Sequence, residues 1–264
     1  MNFKPWVVIG LTVVLGLPLS QAKEAAPLRL RFVTAPFPPL MYFDERRQPT
    51  GPTVQLLQEA CARLAWTCSV EMMPWRRALR TMELGAADGI FTISASADYA
   101  RQLYVSVPVT ASELEFFRQA GDSWVFHGDN RELVGRVLGV QEGTLAASVA
   151  NAMIRDMRGS QLMAEADVRT VLRKLSAGRY GSRGLALLPA RVARRIIAEE
   201  HLNSLEFAGA AQRSAGSFGL LRTRVSAQQA GQFDQVLYSL CKEGRTAELF
   251  KPQGIEPLAC AHPS

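Results

Sequence analysis

A strand–helix alternation that runs twice, with extended segments between the two rounds, constrains this chain more than any other feature. In the first round Leu28–Thr34 alternates apolar and charged residues as a strand does. Thr53 caps an amphipathic helix, Val54–Leu64, with Leu56, Leu57, Ala60 and Leu64 on one face. Thr67–Met72 reads as a strand, Trp75–Leu84 as a helix opened by Pro74 and stopped at Gly85, and Gly89–Ile93 as a buried strand. Val105–Pro108 and Leu114–Arg118 are short extended segments, the second leading out of this first unit.

The second round begins with a strand inside Leu133–Val140, and Gln141–Thr144 turns into the helix Leu145–Met157. A weak strand Gln161–Ala164, a helix Val168–Ser176 closed by Gly178, a strand Gly184–Leu188, a helix Ala190–Glu200 and a strand Leu205–Ala208 follow. Gly216–Arg222 is again apolar and extended, and it leads into the helices Ala227–Cys241 and Arg245–Phe250. Elements of these lengths in alternation call for an α/β fold with a mainly parallel sheet and helices on both faces. No solenoid-period repeat and no low-complexity tract competes with that architecture.

The N-terminus reads as an address rather than as part of the core. Lys4 precedes the apolar run Trp6–Leu19, and Ser20-Gln21-Ala22 has the small-x-small pattern of a cleavage site, so residues 1–22 are expected to be a signal peptide removed after Ala22. Four cysteines suit an oxidising compartment, and Cys61–Cys68 with Cys241–Cys260 is the preferred pairing of the three that are possible. Metal binding is not expected, because none of the three histidines, His127, His201 and His262, stands at ligand spacing to a cysteine. The formal charge of +6 is spread over helices, as in Arg76, Arg77 and Arg80 or Arg191, Arg194 and Arg195. No aromatic residues interleave with them, so nucleic acid is not an expected partner.

Candidate binding residues gather where predicted strands end. Ala35–Tyr42 carries Phe37 and three prolines just after the opening strand, the place where α/β folds hold ligands. The strand Gly89–Ile93 ends in Ser94 and Ser96, after which Asp98 caps a turn that presents Arg101. A guanidinium there offers paired donors to a carboxylate.

In this order, the segments FPPLMYFDERRQPTG, TVQLLQEACARLAW, PWRRALRTMELGAADGIF, SASADYAR, VPVTASELEFF, GVQEGT, LSAGRYGSRGLALL and GQFDQVLYSLCKEGRTAELF resemble the bacterial extracellular solute-binding proteins of family 3. The resemblance covers nearly the whole chain after the leader. It implies a two-lobed type II periplasmic-binding-protein-like fold, with two hinge strands and a ligand cleft between the lobes. One lobe would comprise 23–117 plus 213–264 and the other 118–212.

By the same resemblance Phe37 and Trp75 match the cleft walls, Ser94 and Ser96 the first lobe's hydroxyl segment, and Arg101 the arginine that takes a ligand carboxylate. Gly143 and Thr144 match the second lobe's carboxylate contact, where free N–H groups at a helix start favour an anion. The chain departs from the pattern in one place. Amino-acid binders of the family end the strand after the GR segment in an acid that pairs with the ligand's ammonium; here Pro189 stands between Leu188 and Ala190. The ligand then lacks an ammonium, or another acid substitutes, with Glu142 and Glu113 the nearest candidates.

The implied function is that of a monomeric periplasmic protein, not an enzyme and without a cofactor. It would capture a small carboxylate-bearing molecule, an amino acid or related organic acid, for an ABC-type permease or a sensor in the membrane. The alternatives are a cyclohexadienyl-dehydratase-like enzyme on the same fold and a signalling partner.

Overall fold

The structure, a computed structural model, describes residues 27–94, 97–255, 258, 260 and 261. The leader and Ser96 lie outside the described residues. The first unit opens with β1 (Arg29–Thr34) and a two-strand hairpin, β2 (Tyr42–Phe43) and β3 (Pro49–Thr50). Helix α1 (Pro52–Arg63) follows, then β4 (Thr67–Met72), α2 (Trp75–Glu83), β5 (Gly89–Ile93), α3 (Ala97–Gln102) and β6 (Leu103–Val105). Thr53 is not the cap of α1. Gly51 is, at φ 114°, and Pro52 supplies the pre-set first helical residue. A side chain at 51 would also meet the Leu40 carbonyl oxygen at 2.6 Å, so glycine alone fits that corner.

A long strand, β7 (Thr110–Gln119), carries the chain into the second unit of β8 (Val137–Gln141), α4 (Leu145–Ile154), β9 (Gln161–Glu165), α5 (Val168–Ser176), β10 (Gly184–Pro189) and α6 (Ala190–Glu199). The return is one strand of 17 residues, β11 (Leu205–Leu221), where the sequence suggests two separate extended pieces. Small and polar residues from Gly209 to Ser214 break the apolar alternation in its middle, yet this strand pairs with β7 from Leu205 to Gly216. Helices α7 (Ala227–Lys242) and α8 (Arg245–Phe250) close the chain, α7 behind a capping box of Ser226 and Gln229.

The main sheet runs β4-β1-β5-β11-β7-β10-β8-β9, with β6 also on β11. Its outer thirds are parallel: β1 with β4 and β5, and β8 with β9 and β10. The middle, where β11 meets β5 and β7, is antiparallel. The result is the expected α/β fold of two lobes joined by β7 and β11, with a mixed sheet in place of a mainly parallel one because the crossing strands enter antiparallel.

Two buried clusters serve the first lobe. One surrounds Phe32, Phe91, Phe218 and Phe233, and the other surrounds Val33, Trp75, Ala78 and Ile90. Two more serve the second lobe, around Phe116, Leu138 and Leu185 and around Leu172, Leu188 and Val192. Disulfides join Cys61 to Cys68 and Cys241 to Cys260, tying α1 to β4 and α7 to the C-terminal segment. Among the described residues no helix is long and apolar enough to cross a membrane.

Behind the first lobe, Asp234 of α7 accepts a hydrogen bond at 3.1 Å from the Val107 N–H, just ahead of β7. Burial pushes its carboxyl up to about 6, against the opposing effect of that bond. A carboxyl raised in the folded state binds a proton that the unfolded chain has already released. Its stabilising contribution is therefore full below about pH 4 and is lost as pH rises through about 6. Asp234→Asn should be more stable than the wild type at pH 7 by about 1 kcal/mol after solvent screening is allowed for, about 2–4 °C in Tm, and the gap should close by pH 4. Melting curves that stay equally separated at both pH values would contradict this.

Candidate binding cleft

The cleft is assembled from the carboxyl ends of parallel strands in both lobes. After β1 come Ala35–Pro38, after β4 come Met73–Trp75, and after β5 comes Ser94. Gln141 ends β8, Ala166–Arg169 follow β9, and Pro189 ends β10. Side chains there escape the sheet's own packing and face a common space. The space has a volume of about 680 Å³. Its floor is the paired stretch of the two crossing strands, with Ser214 opposite Ser112 and Gly216 opposite Thr110. Gly216 permits this approach, since a side chain there would meet Thr110 Oγ1 at 2.5 Å. Thr34 and Thr92 add hydroxyls beside that floor.

Four of the residues expected from sequence line this space: Phe37, Trp75, Ser94 and Thr144. Gly143 stands at its rim, at φ 70°, and its carbonyl accepts a 3.0 Å hydrogen bond from Trp75 Nε1 and a longer one, 3.4 Å, from the Tyr99 hydroxyl. The Trp75 bond joins α2 of one lobe to the β8–α4 turn of the other. Arg76 and Glu142 form an ion pair at 3.5 Å across the same rim, and the Arg191 guanidinium donates to the Gly254 carbonyl at another point between the lobes. Thr144 is the cap of α4: its hydroxyl donates to the Gln141 carbonyl at 2.8 Å and faces the Ala147 N–H at 3.4 Å. Leu145 and Ala146, the first residues of α4, also line the cleft, so the amide end of a ten-residue helix opens toward it.

Arg101, the arginine expected to take a carboxylate, stands apart from the four lining residues. It is exposed in the last turn of α3 and is not a lining residue. The end of α3 is held to the exit of β11, where the Arg222 N–H donates to the Gln102 carbonyl and Arg222 Nε to that of Ala100. That exit lies several residues along β11 from the cleft floor at Ser214–Gly216. The guanidiniums that do line the cleft are Arg47, which packs over the Phe43 ring, and Arg169, which pairs with Glu200 and, at 3.7 Å, with Glu199.

Glu142 and Glu113, the candidate substitute acids, do not line it either; Asp167 does. Asp167 caps α5, its carboxylate accepting from the Thr170 N–H at 2.7 Å and the Thr170 hydroxyl at 3.1 Å. The hydroxyl floor and the apolar contributions of Val192 and Ile196 from α6 went unread in the sequence. Alternating Thr110 and Ser112 was the one available signal for the floor, and it looks like any half-buried strand. Among the described residues, no group of three or more His, Cys, Asp or Glu side chains is placed to hold a metal ion.

The sequence model of the bacterial extracellular solute-binding proteins, family 3, matches residues 30–251. The chain belongs to this family. No curated protein matches the sequence itself. Among solved structures, the fold is similar to a histidine kinase sensor domain described as similar to periplasmic binding proteins, with a TM-score of 0.75 and 20% identity over 88% of this chain and 99% of the other. It is also similar to a mutant of the protein ArgBP from T. maritima, with a TM-score of 0.71 and 17% identity over 86% and 95% of the two chains. A third is AbpA, an amino acid ABC transporter substrate-binding protein from Streptococcus pneumoniae bound to L-arginine, with a TM-score of 0.70 and 17% identity over 85% and 94%. At these identities the likeness speaks for the fold, which is the type II periplasmic-binding-protein-like one. The family membership supports a solute-binding role.

Proposed function

We propose that this family 3 protein captures a small carboxylate-bearing molecule by closing its lobes, 23–117 plus 213–264 against 118–212, about β7 and β11. In this reading the protein is a periplasmic monomer released from its leader after Ala22, and it passes the ligand to an ABC-type permease. The observation that carries the reading is the cleft itself: about 680 Å³ between two lobes, with hydroxyls on its floor and a helix start in its wall. Such a cleft binds by being more complementary to a ligand when closed than when open, so ligand shifts the population toward closure.

The carboxylate is assigned to the α4 start at Thr144–Ala146, where unpaired N–H groups and the helix dipole favour an anion. Phe37 and Trp75 form its apolar walls, and Ser94 the first lobe's polar edge. The similarity to a histidine kinase sensor domain favours, as a second reading, delivery of the same signal to a membrane sensor in place of a permease.

Calorimetry against a broad set of amino acids and organic acids tests the proposal, with one-site saturable binding and no turnover as the expected result. A blank across the whole set would remove it, and chemical conversion of any member would replace it with an enzyme. Because Arg101 lies outside the lining, Arg101→Ala should change the affinity for whichever acid binds by less than about threefold. A loss of tenfold or more would return the carboxylate to that guanidinium.

A further inference from the structure

The cleft's second-lobe wall is hydrocarbon. Pro189 at the end of β10, Val192 and Ile196 on α6, and Val168 at the start of α5 all line it. Three of them, Val168, Val192 and Ile196, belong to one buried cluster with Leu188. Phe37 reaches that cluster from the opposite lobe while also packing on the first lobe's own core. One end of the cleft is thus enclosed by apolar side chains from both sides. The only carboxylate among its described lining residues, Asp167, already accepts two hydrogen bonds from Thr170. Two guanidiniums, Arg47 and Arg169, line the cleft besides.

From this arrangement we infer that the ligand is an aromatic monocarboxylic acid without an amino group, its ring packed against both Phe37 and the Pro189–Val192–Ile196 patch where they meet. The inference rests on the reading of the cleft as a ligand site. A cation buried at this end would lose its water and find no unengaged carboxylate, so an amino acid is disfavoured there. A flat ring gains from the same surroundings, because it buries a large apolar area against Phe37 in an offset or edge-on arrangement. The start of α4 at Thr144–Ala146 then takes the single carboxylate at the other end of the molecule.

A matched pair of ligands tests it. 3-Phenylpropionate and L-phenylalanine differ by the ammonium alone, and propionate lacks the ring. Calorimetry on the purified protein should show 3-phenylpropionate binding at least tenfold more tightly than either of the other two, and L-arginine not binding. Equal or tighter binding of L-phenylalanine or L-arginine would overturn the inference while leaving the solute-binding reading intact. Equal binding of propionate would remove the ring from it. If none of the four binds, the inference falls, and the broad set of acids described above then decides separately whether the cleft is a ligand site.

Val192→Asp should weaken 3-phenylpropionate at least tenfold and strengthen L-phenylalanine. Val192 is buried, so Phe37→Ala, at a half-buried position, is the companion variant. It should weaken 3-phenylpropionate fivefold or more and leave propionate unchanged. Unaltered binding of 3-phenylpropionate by a folded Phe37→Ala protein would place the ring elsewhere and end the proposal.

Discussion

Phe32→Ala is expected to lower the unfolding free energy by about 3–5 kcal/mol, a large part of what a domain of this kind possesses. Phe32 is fully buried in β1, and its ring centroid lies 6.3 Å from Phe91, 6.5 Å from Phe218 and 6.4 Å from Phe233. Those rings come from β5, β11 and α7, so one side chain joins elements far apart in sequence. The space cannot refill from β5 either. Gly89 exists to admit the ring, since a side chain there would fall 2.3 Å from a Phe32 ring carbon. Urea unfolding followed by circular dichroism should therefore show a markedly lower midpoint for Phe32→Ala and a smaller loss for Phe32→Leu. Equal stability of Phe32→Ala and the wild type would mean that the first lobe's core is organised around something else.

The second large effect sits on a crossing strand. Glu115 of β7 keeps 6% of its side-chain surface exposed, and Arg194 of α6 holds it with Nε and Nη2 at 2.7–3.0 Å. The guanidinium also lies over the Phe207 ring, 5.4 Å from its centroid. Removing Arg194 leaves a buried carboxylate without its partner. Because the Arg194 side chain is itself 59% exposed, water reaches the pair, and Arg194→Ala should cost about 1–2 kcal/mol. Adding Glu115→Gln to Arg194→Ala removes the stranded charge and should recover about half the loss. Additive costs for the two changes would show that the pair is solvated and unimportant. Glu115 is next to Leu114, which lines the cleft, and pairs with Leu188, next to Pro189. Arg194→Ala should therefore also loosen the second lobe's wall.

Much of this architecture was legible in the sequence because its signals are local. A proline or glycine beside an amphipathic period marks α2 and α5, an apolar face alone marks α1, alternation marks β1, and short apolar runs mark β5, β8 and β10, whatever the rest of the chain does. The disulfide partners were legible for the same reason, since each pair is separated by few residues. Phe37 and Ser94 followed from their positions at strand ends, where ligand-facing residues gather in any α/β sheet, whereas Trp75 and Thr144 came from the resemblance to the family.

Tertiary structure alone decided the rest. That β11 is a single strand depends on β7 pairing along it through the polar middle, a contact between segments about a hundred residues apart. Whether Arg101 meets the cleft depends on where β11 holds the end of α3, and no local pattern encodes that. Val192 and Ile196 look in sequence like any buried helix face; only the packing of α6 beside Pro189, opposite Phe37, turns them into a wall. Sequence periodicity tells a residue which side of its own element it occupies, whereas a cleft is defined by what stands on the other side.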